Sequence, residues 1–488
     1  MGVIEILHSV AKHLPVVKSP ERPLSVKEKL VWTGIAVVLF FMMYNTTCLG
    51  VKVSAGGGDF LQTITAANIG SLLTAGIGPL VLASIFLQLF VGAGIIKLDM
   101  KNRVEKQKFL EVQKVIAILL ALVEGAIFVM SGRTPLQPLF GSMGEGYMVA
   151  AGGTIALHAP YTMLLVVLQI AIGSIIVLYL DELVTKYGIG SGISLFIAAG
   201  VSFSIILQFF GLVFGGLGSP GVIPTLTGGE GGQPDASAIP DAIMILLPFF
   251  FTIIVFLVVV YFESVKVEIP IAFERVRGMV PKLPLKFFYV SNIPVIFASA
   301  LILNMQLFAG TLLANVDAPW LGYVGSDHVL RDGFLYMLTP IHGGINTRDY
   351  FNTLLNAQTP YYKIPEWAHA VTYVLFLSLV SVLFGVFWVE TANMDAKSMA
   401  GQLSGSGLQI PGFRRDERML EKILNNNIFP LTVLGSFSVG LLAGLADLTG
   451  ALGTGTGILL TVGILYRMYE QLEQMQAFEM YPMIGKLV

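Results

Sequence analysis

The chain has 488 residues, 55% of them apolar and 12% charged, with a formal net charge of −2. Soluble proteins are about 45–50% apolar and about 25% charged, so several soluble globular cores could not be coated with the polar residues present. The near-neutral balance argues against a nucleic-acid partner for the whole chain. The single cysteine, Cys48, excludes an internal disulfide and a cysteine-rich metal site. The composition is that of an integral membrane protein.

A membrane-crossing helix needs about 20 mostly apolar residues at about 1.5 Å each. In chain order such runs lie near 30–49, 74–96, 113–131, 162–180, 189–212, 242–262, 289–309, 368–389, 428–445 and 448–466. The first follows Lys27 and Lys29. It is too long for the apolar core of a signal peptide, and no small-residue cleavage site follows Leu49, so it reads as an uncleaved first span. The alternating segments of a β-barrel are absent. Lys and Arg collect on the cytoplasmic side of membrane proteins. With the N-terminus inside, only Lys52, Arg133, Arg331, Arg348 and Lys363 of the 29 basic residues fall outside.

The expected fold class is therefore all-α integral membrane, with ten transmembrane helices in two halves, spans 1–5 and 6–10, and both termini cytoplasmic. Five spans per half give the parity of an inverted repeat. The expected divisions are an N-terminal arm (1–29), a first half (30–212), an outer linker (213–241), a second half (242–466) with cytoplasmic loops 263–288 and 391–427, and a tail (467–488). Between spans one and two, Ala55-Gly56-Gly57-Gly58 leads into a short amphipathic stretch, Asp59 to Ile69. It is too short and polar to cross. It lies either at the outer interface or in an internal cavity, the only place where irregular backbone survives at membrane depth.

Ionisable residues inside spans usually mark membrane chemistry. Here Glu124 is inside a span and Glu390 at a span end. The six histidines have no metal-ligand spacing, and His342-Gly343-Gly344 has no Gly-x-Ser-x-Gly partner. Gly188-Ile-Gly-Ser-Gly192 and Gly453-Thr-Gly-Thr-Gly457 lack the Lys-Ser/Thr of a phosphate-binding loop and read as sites of close helix approach. No enzyme activity, metal or cofactor is expected. Loop 6/7 carries Arg275 and Arg277, and loop 8/9 carries Arg414 and Arg415. Positive charge fixes topology. Paired arginines also suit phosphate, and therefore a phosphate-rich cytosolic partner.

Gly76-Ile-Gly-Pro-Leu-Val81, Gly188-Ile-Gly-Ser-Gly-Ile-Ser194, Glu274-Arg-Val-Arg-Gly278, Ser291-Asn-Ile-Pro-Val-Ile296 and Gly453-Thr-Gly-Thr-Gly457, on ten spans, resemble the SecY family. Its members are channel subunits of the protein translocon. The resemblance runs through Tyr466-Arg-Met-Tyr-Glu470 and is to the archaeal type, close to the eukaryotic translocon α-subunit. It implies a channel that passes secretory polypeptides across the cytoplasmic membrane and releases hydrophobic segments sideways into it. The two halves would close like a clamshell on an aliphatic ring of Ile77, Val81, Ile193, Ile197, Ile296 and Leu460. The stretch holding Asp59, Phe60, Ile64 and Ile69 would be the plug. A polar cluster at the lateral gate would hold Glu124 and Asn304, with an apolar residue, Leu82, at its third position. Arg275, Arg277, Arg414 and Arg415 would dock a cytosolic partner, in this type the ribosome. Other implied partners are SecE-like and Secβ-like small membrane subunits, a translocating polypeptide with its signal sequence, and the lipid bilayer. A secondary transporter of a small solute is the alternative; it needs coordinating groups at mid-membrane in both halves, against which Glu124 stands nearly alone.

Overall fold

The computed structural model describes residues 3–480 apart from 23, 52–65, 93, 97, 99–101, 132–133, 135, 137–159, 216–220, 228–238, 271, 274–281, 314–317, 326–329, 342–352, 406–407 and 410–416. In chain order its helices are α1 (Val3–Ala11), α2 (Val26–Asn45), α3 (Gly78–Gly92), α4 (Arg103–Met130), α5 (Pro160–Tyr187), α6 (Gly192–Phe214), α7 (Val222–Thr227), α8 (Ile239–Ser264), α9 (Ile293–Leu312), α10 (Glu366–Thr391), α11 (Ala396–Gly405), α12 (Glu417–Asp447) and α13 (Gly455–Met480). The ten expected spans fall on α2–α6, α8–α10, α12 and α13. Among the described residues, seven helices are long and apolar enough to cross a membrane on length and composition; α3 is a shorter apolar helix.

Several helices outrun their apolar runs. α12 begins at Glu417, inside the segment read as loop 391–427, because Leu420, Leu424, Ile428 and Leu431 form one buried stripe against Ala396 and Ala400 of α11. α4 begins at Arg103, where Asn102 accepts a hydrogen bond from Val104 N at 3.0 Å. The linker 213–241 contains α7, and α13 continues into the segment read as a tail. Span two is shorter than its apolar run. Residues 74–77 form turns, with Gly76 at φ 53°, and α3 starts only at Gly78. Pro79 thus lies in the first turn, where a missing N–H costs no helical bond.

Among the described residues three small antiparallel pairs lie outside the helices: β1 (Lys266–Pro270) with β3 (Lys282–Lys286), β2 (Ala272–Phe273) with β6 (Leu408–Gln409), and β4 (Tyr323–Val324) with β5 (Leu330–Asp332). The β2–β6 pair, with Ala272 opposite Gln409 and Phe273 opposite Leu408, joins loop 6/7 to loop 8/9. On the 310–366 connection, buried Asp332 accepts from Tyr361 N and Tyr362 N at 2.8 and 2.7 Å. His369 sits between Glu366 (2.8 Å) and Thr339 O (2.8 Å), anchoring this connection to the first turn of α10.

The helices form two packing groups, α2–α6 and α8–α13. They meet along two seams. At one, α3 packs on α9 and α10, and α4 on α9; at the other, α13 packs on α6 and α2. Between the seams lies the largest apolar cluster.

Candidate functional site

Five of the six ring residues belong to that central cluster, and the sixth, half-buried Ile193, packs against it. Relative exposures are 1% for Ile77, 3% for Val81, 0% for Ile197, 5% for Ile296 and 0% for Leu460, so these five side chains are packed inside the protein. The residues come from α3 and the turn before it, α6, α9 and α13, so both packing groups contribute. Ala66, in the stretch 59–69, joins the same cluster at 0% exposure, and its Cβ neighbours Gly200 of α6. Asn68 Nδ2 donates to Tyr44 O at 2.9 Å, and Ile69 packs on an adjacent cluster containing Phe128, Leu303 and Leu307. The described end of this stretch therefore enters the interior. Asp59, Phe60 and Ile64 lie outside the described residues.

Ring helices α6 and α13 are held in the same way. Asp181, near the end of α5, accepts from Ile193 N at 2.8 Å and also bonds the Gly192 amide. Asp447, at the end of α12, accepts from Thr456 N at 2.7 Å and bonds the Gly455 amide. Each carboxylate thus satisfies N–H groups that a helix start leaves free. The approach is too close for any side chain. A Cβ on Gly192 would lie 2.5 Å from Asp181 Cα, and one on Gly455 2.0 Å from the Ala446 carbonyl carbon. Gly190 and Gly453, each two residues earlier, have φ 76° and 69°. Counting from the clamped amides, Ile197 and Leu460 occupy the same position, and Gly200 and Gly463 follow each by three. The two glycine-rich motifs are thus one structural unit used twice.

Further contacts hold the second copy. Asn292, fully buried before α9, donates to Leu459 O at 3.1 Å and Leu460 O at 3.4 Å, with Gly463 giving it room. Tyr373 of α10 donates its hydroxyl to Asp447 Oδ2 at 2.7 Å, and Thr456 Oγ1 donates to the same oxygen at 2.5 Å. Asn292 and Thr456 stand inside motifs quoted from the sequence, but nothing there gave them a role, and Asp181 and Asp447 each look like an ordinary polar group at a span end. The spacing shared by the two glycine motifs was the available signal.

At the α3/α4–α9/α10 seam, Glu124 and Asn304 are each 3% exposed, on α4 and α9. They do not bond each other. Asn304 Nδ2 donates to Ala300 O at 2.9 Å, while Asn304 Oδ1 and Glu124 Oε1 have no hydrogen-bond partner among the described residues. Leu82 is buried on α3, and Gly92 of α3 faces Phe387 of α10, whose ring a Cβ would meet at 2.6 Å. Arg275, Arg277, Arg414 and Arg415 lie outside the described residues, but β2 and β6 pair just ahead of them in each loop. Among the described residues no His/Cys/Asp/Glu group could hold a metal.

The SecY family model matches residues 71–469. A protein translocase subunit SecY of Methanocaldococcus jannaschii is 41% identical over 481 residues, covering 98% of both chains, and one of Pyrococcus horikoshii is 39% identical over 100% of this chain and 99% of its own. A solved structure described as a protein conducting channel shares 40% identity at a TM-score of 0.77, covering all of both chains. Sec61 from the canine ribosome–channel complex of the endoplasmic reticulum shares 39% at 0.74, again over both full lengths. A SecY whose plug domain stabilises the closed channel and maintains a membrane seal shares 40% at 0.76, with the same coverage. With sequence and architecture matched over the length of the chain, the chain belongs to the SecY family.

Proposed function

We propose that this multi-pass membrane protein, a protein-conducting channel, shuts its pore with Ile77, Val81, Ile193, Ile197, Ile296 and Leu460. The observation that carries this reading is the convergence of these aliphatic side chains from both packing groups on one buried apolar cluster. A narrow apolar ring offers ions nothing to replace their hydration and seals by dewetting. It holds a chain by no specific bond, so side chains of any kind can pass. The stretch 59–69 is the plug, entering the ring cluster at Ala66.

Burying one aliphatic side chain is worth about 1.5–3 kcal/mol, so Ile296→Asn should shift the dry–wet balance roughly tenfold to hundredfold. Chloride efflux from proteoliposomes holding the resting channel complex should rise accordingly. Efflux at the wild-type level for both Ile296→Asn and Ile77→Asn would remove these residues from the seal.

Opening the α3/α4–α9/α10 seam gives a translocating segment a path to lipid. Glu124 and Asn304 set its polarity. Polar contacts inside membranes are worth about 0.6–1.7 kcal/mol, the scale of a gate that one inserting segment can tip. Glu124→Leu or Asn304→Leu should change the hydrophobicity at which a test segment inserts, read as the ratio of inserted to translocated product. An unchanged threshold in both variants would take them out of the gate.

Arg275, Arg277, Arg414 and Arg415 dock a phosphate-rich cytosolic partner, the ribosome, with the two loops joined at β2–β6. SecE-like and Secβ-like subunits complete the complex in the bilayer, and a polypeptide with a signal sequence is its cargo.

A further inference from the structure

The clamps at the two ring helices carry an inference that rests on the ring assignment above. We infer that Asp181 and Asp447 are matched positioning residues, each fixing the height of one ring helix, and that Tyr373 ties the second clamp to gate helix α10 so that gate and ring move together.

The geometry is the same in both copies. A carboxylate from the preceding helix takes the two adjacent amides at the start of the ring helix. Glycine at the first of those amides lets the backbones touch. Ile197 and Leu460 each lie four residues past the second amide, about one helical turn. A clamp that loosens lets the ring helix slide or tilt, and the aliphatic side chain leaves the plane of the ring.

The second clamp reaches further. Asp447 Oδ2 accepts both Thr456 Oγ1 and the hydroxyl of Tyr373, a residue with 0% exposure on α10. α10 packs across the gate seam on α3, so outward movement of α10 pulls on the carboxylate that sets α13. In the first half the comparable link runs from α4, another seam helix. Lys114 Nζ pairs with Glu182 Oε2 at 2.8 Å, next in sequence to Asp181. In each half, then, a seam helix holds the end of the helix that carries the clamp.

The test uses the full channel complex in proteoliposomes and two substrates, one with an intact signal sequence and one with a weakened signal. Tyr373→Phe removes only the hydroxyl. It should raise transport of the weakened-signal substrate about threefold, the usual scale of one intramembrane hydrogen bond, and leave the intact-signal rate at wild type. Asp447→Ala should do the same more strongly, and Asp447→Asn, which keeps an oxygen for the Thr456 amide, should restore selectivity in part. The double variant Tyr373→Phe/Asp447→Ala should match Asp447→Ala alone, since the hydroxyl then has no carboxylate to hold. Ser378→Ala, removing a hydroxyl that donates to Val374 O within α10, should change nothing. Equal loss of both substrates, additive effects in the double variant, or wild-type selectivity in Tyr373→Phe would each overturn the inference. Leu460→Asn is measured alongside for chloride leak. If it leaks while Tyr373→Phe keeps wild-type selectivity, the coupling fails and the ring stands; if Leu460→Asn does not leak, the ring assignment fails at α13.

Discussion

Gly455→Ala is expected to remove most of the folded channel, with a far lower thermal midpoint in detergent for whatever survives purification. The added Cβ would lie 2.0 Å from the Ala446 carbonyl carbon and 2.3 Å from Asp447 N. Both are backbone atoms at the end of α12, so no rotamer change relieves the clash. Relief requires α12 and α13 to separate, which breaks the Thr456–Asp447 bonds and displaces Leu460 from the central cluster. Overpacking that a side chain can absorb costs about 1–3 kcal/mol, and this case should reach or exceed the top of that range. Gly34→Ala is the control. Nothing lies within 4 Å of its Cβ position, and alanine in a helix interior should be neutral or stabilise by up to about 1 kcal/mol. A Gly455→Ala channel that melts with the wild type would contradict the close approach of the two helices.

The second large effect concerns the cytosolic face. Reversing Arg275, Arg277, Arg414 and Arg415 to Glu together should weaken ribosome binding by roughly a hundredfold at physiological salt. It should also flatten the slope of log affinity against log salt by about three, because each lost phosphate contact removes roughly 0.7–0.9. The β2–β6 pair makes a joint effect reasonable, since it holds the two loops together at their bases. Lys363→Glu, on the 310–366 connection, is the control and should leave both affinity and slope unchanged. Reduced affinity with an unchanged salt slope would mean that the arginines shape the loops and do not touch phosphate.

The ten apolar runs were legible because membrane burial demands about 20 consecutive apolar residues, and that signal does not depend on tertiary context. Helix ends were less so. The stripe Leu420–Leu424–Ile428–Leu431 starts among charges, and a hydropathy window averages it away although its helical spacing of four, four and three residues is plain. The β2–β6 pair could not be read at all, since two-residue strands carry no periodicity. At the ring, family motifs pointed to the six aliphatic residues, while periodicity alone left Ile193 and Ile197 indistinguishable from lipid-facing positions. Asp181 and Asp447 are invisible to composition. They acquire meaning only when the two glycine motifs are superposed on the clamped amides, and that superposition places Ile197 opposite Leu460 in register.

The most direct test of the central claim is photocrosslinking to a polypeptide stalled halfway through the channel complex. A photoreactive residue placed singly at Ile77, Ile197, Ile296 or Leu460 should crosslink to the stalled chain. One at Leu257, 60% exposed on α8, should crosslink to lipid instead. Crosslinks to the chain from Leu257, with none from Ile77 and Ile296, would contradict a pore through this ring.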